Sequence, residues 1–318
     1  MDQGPLPPPP PSVVEACYRH PQVQTGVHCT RCGRPICPDC MVPAPVGHQC
    51  PDCVREARQE FHRPTRGVAT GPSRGFSITN LLLVLLGVIY VVEAAAAGSG
   101  GIFAGPSALK LVELGANIGL AQIGGELVGV AAGQEWRLLT SMFLHGGLIH
   151  LLMNGYILFI FGNVIEQELG RVRFVTIFFV TGLFASAASY AFAPLTVEGI
   201  GTPSVGASGA IFGLFGAFLA YNWRRRELAF YAARVRSALT LIIINLVFTF
   251  ALSSVIDWRA HVGGLVAGVV AGFAAEGMGS ARSKTWLFAV AAVSLLVITV
   301  GITMWRTDQI LRLVGPLT

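Results

Sequence analysis

Charge is scarce in this chain. Only 12% of its 318 residues are Asp, Glu, Lys or Arg, roughly half of what a soluble globular protein carries. With a mean hydropathy of +0.62, that shortage excludes an ordinary soluble domain. Cysteine is missing after Cys53. All seven thiols lie between Cys17 and Cys53, which rules out a disulfide framework for the apolar part and argues for a metal site. No HExxH motif occurs, against a zinc-dependent membrane protease. No set of charged residues lines the middle of the apolar blocks, against a transporter or channel. No early apolar run follows the opening Pro-rich residues, so no signal peptide is expected. The net charge of +5 does not point to nucleic acid, because the basic residues sit between apolar blocks, where they set topology.

What remains is organised in blocks. Residues 1–12, with Pro7 to Pro11 unbroken, read as an extended disordered tail. The Cys-rich segment spans 13–57, and 58–76 read as a polar, basic linker. Seven apolar blocks of bilayer-spanning length follow near 77–97, 145–165, 173–193, 206–223, 237–255, 259–276 and 285–305, with a tail at 306–318. The fourth and sixth are short and rich in Gly and Ala, so burial inside a helical bundle is predicted for them. Arg58, Arg63, Arg66 and Arg74 precede the first block, which puts the N-terminus in the cytoplasm. Alternation then keeps the Arg171/Arg173, Arg224–Arg236 and Arg282/Lys284 segments inside and the C-terminus outside. The first outer loop, 98–144, is long and semi-apolar. Its stretches LKLVELGANIGL and GGELVGVAAG are expected to lie in the membrane interface. The Gly/Ala richness and the preference for Arg over Lys (20 to 2) suggest a bacterial plasma membrane.

Cysteines and one histidine fall in close pairs: Cys17/His20, Cys29/Cys32, Cys37/Cys40 and Cys50/Cys53. A two-residue gap lets both members of a pair reach one metal across a tight turn, and eight ligands complete two closed tetrahedral Zn²⁺ sites. His28 and His48 are possible substitutes. No ligand position is left open, so a structural zinc is expected rather than a catalytic one, holding together a segment too small for a core. The segment resembles the cross-braced B-box modules. That resemblance implies Cys17, His20, Cys37 and Cys40 on one ion and Cys29, Cys32, Cys50 and Cys53 on the other, with a cytoplasmic protein as the default partner.

Polar residues at the starts of the even-numbered blocks form a second pattern. His145, His150 and Asn154 open the second, Ser208 in Gly206-Ala207-Ser208-Gly209 opens the fourth, and His261 opens the sixth. With the topology above, all three starts lie at similar depth on the outer side. His150 and Asn154 are four apart and share a helix face. Gly264 and Gly268 clear the face of His261, and Gly206, Gly209, Gly213 and Gly216 do the same for Ser208, so two backbones can approach closely. Serine needs a base to become nucleophilic, and a histidine within reach supplies one. Ser186, Ser189 and Ser294 read instead as serines bonded to their own helix backbone. Asp257, four residues before His261, reads as a loop residue, and Glu93, inside the first block, as a side chain near enough to its outer end to reach water.

Trp136-Arg137, His145-x4-His150-x3-Asn154, Gly206-x-Ser208-Gly209 and His261-x2-Gly264-x3-Gly268, in this order, resemble the rhomboid intramembrane serine proteases over about residues 77–277, including the LGAN run at 114–117. The resemblance implies an all-α polytopic bundle of six transmembrane helices plus a C-terminal seventh. It implies Ser208 as nucleophile, His261 as general base and then acid, and an oxyanion hole of His150, Asn154 and the Ser208 N–H, with no metal at the catalytic site. His145 would support the site, and Trp136-Arg137 would brace the first loop. The substrates implied are single-span proteins of the lipid bilayer. The alternative is a rhomboid-like receptor that binds transmembrane segments without cutting them.

Overall fold

The computed structural model describes residues 14–44, 46–62, 77–98, 101–276 and 281–315. The expected Pro-rich tail and residues 63–76 of the expected linker lie outside them. The chain forms two compact units, residues 1–72 and 73–318.

The first unit is built from turns. Two minimal antiparallel ribbons, β1 (Glu15–Ala16) with β2 (Gln24–Thr25) and β3 (Val42–Pro43) with β4 (His48–Gln49), carry the Cys-x2-Cys and Cys-x2-His pairs in the bends beside them. A 3-10 turn at Pro38–Cys40 and helix α1 (Pro51–His62) supply the remaining ligands. α1 runs past residue 57, where the linker was expected to begin.

The second unit is mostly helical. Among the described residues, six helices are long and apolar enough to cross a membrane: α2 (Ile78–Ala97), the continuous helix Leu148–Leu169, α8 (Arg171–Phe192), α11 (Ala229–Ala251), α12 (Trp258–Glu276) and residues Ser283–Val314 of α13 (Ala281–Val314). Leu148–Leu169 comprises α6 (Leu148–Ile157), one π turn and α7 (Asn163–Leu169). The fourth expected span is α10 (Ser208–Trp223), which follows the short helix α9 (Val197–Gly201) and whose 16 residues fall short of the ~20 a bilayer requires. It is the innermost of the seven expected spans, packed by α8, α11 and α12, as its Gly/Ala content predicts.

Two boundaries differ from expectation. α11 begins at Ala229 rather than near 237, so Arg234 and Arg236 belong to its first turns. α13 continues to Val314 through residues expected to form a tail. There Ile310 is buried with Val130, Leu138, Tyr190 and Ile200, and the Tyr190 and Thr307 hydroxyls lie 2.8 Å apart.

The first loop has its own structure: α3 (Gly101–Ala104), α4 (Ala108–Leu114), a hairpin of β5 (Ala121–Ile123) and β6 (Glu126–Val128), and α5 (Arg137–Thr140). Gly124 and Gly125, both at positive φ, make the two-residue turn of the hairpin. The stretch expected to lie along the interface is therefore partly a β-ribbon.

Candidate active site

The site begins with two helices in backbone contact. A Cβ at Gly264 would lie 2.0 Å from the Gly209 carbonyl oxygen, one at Gly268 2.0 Å from that of Gly213, and one at Gly272 2.5 Å from that of Ala217. α10 and α12 thus meet along a stripe with no side chain between them, and the sequence places glycine wherever a carbonyl intrudes. At the end of that stripe where both helices begin, Ser208 Oγ and His261 Nε2 are 2.7 Å apart. Phe212, one turn into α10, stacks on the imidazole with ring centroids 4.3 Å apart.

α6 faces the serine. A Cβ at Gly206, which sits at φ +124°, would come within 2.8 Å of the His150 ring and 3.6 Å of Asn154 Nδ2. Only glycine leaves His150 and Asn154 access to the space before Ser208. Asn154 is 5% exposed, and its Nδ2 has no protein partner. A buried amide donor left unpaired is rare. Ser208 lies in the first turn of α10, where backbone N–H groups lack intrahelical acceptors. Four residues expected at the site from sequence are therefore brought together.

The remaining expectations resolve individually. Buried Arg137 donates to the carbonyls of Val112 and Ala116 and to Gln134 Oε1, while its guanidinium lies 4.8 Å from the Trp136 ring centre, so the pair braces the first loop. Asn117 ties that loop to the segment before Ser208 through two backbone hydrogen bonds with Ser204, and its Nδ2 donates to the Ser186 carbonyl. His145 is fully buried. Its backbone N–H donates to Glu93 Oε2 at 2.9 Å, and its ring lies edge-on to His150. Glu93 does not reach water: at 1% exposure it fastens α2 to the start of the second span. Ser189 donates to Asp257 rather than to its own helix, and Asp257 also accepts from the Arg259 backbone N–H.

Sequence reading missed Thr249. Its Oγ1 lies 2.7 Å from His261 Nδ1. The signal was present: the buried face of α11 is Val235, Ala238, Ile242 and Thr249, and Thr249 is its one polar member.

In the first unit the ligand atoms of Cys17, His20, Cys37 and Cys40 all lie within 4.8 Å of one another, as do those of Cys29, Cys32, Cys50 and Cys53. Alternate pairs therefore converge, in the cross-braced order. His28 and His48 belong to neither group: His28 pairs with Glu15, and His48 lies in β4. The donor sets are soft, three S with one N and four S, which suits a tetrahedral thiophilic ion. Burial pushes the Cys17 thiol up, but hydrogen bonds from the backbone at Cys37, Arg19 and His20 outweigh it and bring it down to about 6. Cys29 follows the same logic, with the backbone at Cys50, Cys32 and Arg31 bringing it down to about 6. Burial and neighbouring thiols push Cys40 up to about 12.

The Rhomboid domain family matches residues 132–276, from the first loop to the end of α12. The chain is 40% identical over 172 residues to the rhomboid protease GluP of Bacillus subtilis, covering 53% of this chain and 32% of that protein. It is 36% identical over 146 residues to the rhomboid YdcA of the same organism, covering 46% of this chain and 70% of that protein. RHOMBOID-like protein 6, mitochondrial, of Arabidopsis thaliana is 36% identical over 175 residues, 54% of this chain and 51% of that protein. The chain thus spans about a third of GluP and about half of the plant protein, and with the helical bundle around α10 and the match to most of YdcA, it belongs to the rhomboid family.

Proposed function

We propose that this protein is an intramembrane serine endopeptidase that cleaves transmembrane segments through a Ser208–His261 dyad. The observation that carries this reading is the 2.7 Å approach of Ser208 Oγ to His261 Nε2, with the unpaired Nδ2 of buried Asn154 beside it. His261 Nε2 takes the Ser208 proton as Oγ attacks the scissile carbonyl carbon. The carbonyl oxygen becomes an oxyanion held by Asn154 Nδ2, His150 and the Ser208 backbone N–H. Collapse breaks the C–N bond, the proton on Nε2 goes to the leaving amine, and an ester on Ser208 remains. Water, deprotonated by the same nitrogen, hydrolyses the ester to a carboxylic acid and restores the serine. No metal takes part in these steps.

The substrates are single-span proteins in the same bilayer. The eight ligands of the first unit hold two structural Zn²⁺ ions, and that module faces the cytoplasm, where it engages a protein partner. The N-terminus is cytoplasmic and the C-terminus external, in a bacterial plasma membrane. The zinc module is built on residues 13–57 and the protease domain on 77–305, with α13 carrying the latter on to Val314.

The test is cleavage of a transmembrane reporter by purified wild type, Ser208→Ala and His261→Ala in liposomes. Both variants should remain folded and lose activity. Cleavage that survives Ser208→Ala would place the nucleophile elsewhere. A wild type that binds several reporters and cuts none would favour the receptor reading.

A further inference from the structure

We infer that Thr249 sets the proton polarity of His261, standing where a serine-protease triad has its carboxylate; this rests on the dyad reading above. Thr249 is 1% exposed, and its hydroxyl faces two groups at once. Its Oγ1 lies 2.7 Å from the Asn245 backbone carbonyl oxygen and 2.7 Å from His261 Nδ1. A hydroxyl has one proton, and a carbonyl oxygen can only accept. If Nδ1 were unprotonated, two acceptors would compete for that proton, and one pair of facing lone pairs would be held at 2.7 Å in a buried site. Both contacts are satisfied only when Thr249 donates to Asn245 and accepts from Nδ1–H.

The chain of donors then runs in one direction. Ser208 O–H donates to His261 Nε2, His261 Nδ1–H donates to Thr249 Oγ1, and Thr249 O–H donates to the Asn245 carbonyl. Neutral imidazole carries one ring proton. Placing it on Nδ1 leaves Nε2 as a lone pair aimed at the nucleophile, the form a general base requires. When Nε2 later takes the serine proton, the Thr249 oxygen still accepts from Nδ1 of the imidazolium, as a neutral dipole in place of a full charge. The other charged or titratable groups near His261 do not take this place. Asp257 is held by Ser189 and Arg259, and His150 lies across the site on α6. Phe212 fixes the ring plane by stacking but has no acceptor. Thr249 is thus a positioning residue, contributed by α11, for a base contributed by α12.

The experiment uses the full chain in liposomes and compares wild type, Ser208→Ala, Thr249→Val and Thr249→Ser against one transmembrane reporter. Valine keeps the shape and removes the acceptor. It should lower kcat about ten- to a hundredfold with KM unchanged, because a buried Nδ1–H is left unpaired in the tautomer that reacts. Serine restores the acceptor and should keep kcat near wild type. Nitrogen-15 spectra of histidine-labelled wild type, with His261 assigned by its loss in His261→Asn, should show Nδ1 protonated and Nε2 bare. These spectra decide the matter even where Thr249→Val fails to fold. A wild-type kcat in Thr249→Val, failure of Thr249→Ser to rescue, or a protonated Nε2 in resting wild type would each overturn the inference. Undiminished cleavage by Ser208→Ala would instead break the dyad reading, leaving the spectra to judge the polarity of the Thr249 bond.

Discussion

Between Cys17 and Cys53 the buried core is six cysteines around Ile36. Between α10 and α12 the tightest packing occurs where side chains are missing, with Gly264, Gly268 and Gly272 laid on carbonyl oxygens of the facing helix. The first unit has too few apolar residues to bury, so its cohesion rests on eight convergent side chains arranged as two sets that could each hold a metal ion. The second gains nothing from hiding apolar surface from lipid tails, which are equally apolar. Its cohesion rests on close backbone approach and a few buried polar ties. Damage should therefore be concentrated in one unit and distributed in the other.

The largest expected effect is metal removal. Apparent binding free energies of structural zinc in small modules reach about 10–16 kcal/mol, so a strong chelator, or Cys50→Ser, should unfold residues 14–62. Circular dichroism and amide exchange of that unit report it. Reporter cleavage by the membrane unit should persist, because Ser208, His261, His150 and Asn154 all lie in the second compact unit. Loss of cleavage on chelation would mean that the membrane unit depends on the fold of the first.

The converse lesion in the membrane unit is addition rather than removal. Gly268→Ala places a methyl carbon 2.0 Å from the Gly213 oxygen. Neither backbone can yield without separating α10 from α12, so we expect a loss of about 3 kcal/mol or more in detergent unfolding and loss of cleavage through the dyad geometry. Gly301, on α13, would meet nothing, and Gly301→Ala is the matched control that should leave both unchanged.

Smaller in energy, and confined to chemistry, is Asn154→Ala. Its unpaired Nδ2 holds nothing together, so stability should change little while kcat falls about 10²–10³-fold, the loss typical of one oxyanion donor. A large drop in unfolding temperature with a proportionate drop in rate would mean that Asn154 is a structural amide.

What the sequence made legible follows from the same contrast. Close backbone approach requires glycine at helical spacing, so the intervals from His261 to Gly264 and Gly268 make the α10–α12 contact legible in the sequence. Ligand pairs across tight turns are equally local, and only the sharing of pairs between ions needed the B-box resemblance. Buried polar ties between distant segments leave no such trace. Glu93 meets a backbone N–H 52 residues away, and nothing local separates it from a carboxylate near a helix end that reaches water. Thr249 also bonds its own preceding turn at Asn245, as threonines in membrane helices ordinarily do, and this masks its second partner on α12. The long reach of α13 was hidden because Arg306 and Asp308 resemble tail residues, whereas Arg306 donates to the Ala193 carbonyl and is buried.

The smallest effect tests whether the polar ties of the membrane unit act as units. Glu166 of α7 closes the N-terminus of α2. Its Oε2 accepts from the Thr79 N–H and hydroxyl at 2.9 and 2.8 Å and from the Ser77 hydroxyl at 2.9 Å, and its Oε1 accepts from the Ile78 N–H at 3.0 Å. Those N–H groups are the donors an α-helix cannot satisfy internally, and a carboxylate there also meets the positive end of the helix dipole. Glu166→Gln keeps the shape but replaces one acceptor oxygen with an NH₂ donor, so at least one N–H of α2 loses its partner. We expect a destabilisation of about 1–3 kcal/mol, read as a lower unfolding midpoint in detergent, with kcat unchanged. Thr79→Val removes one of the same bonds, so the double variant should lose clearly less than the two single losses combined. Strict additivity would mean that the bonds to Glu166 act independently, and that cohesion in this unit is distributed down to the single hydrogen bond.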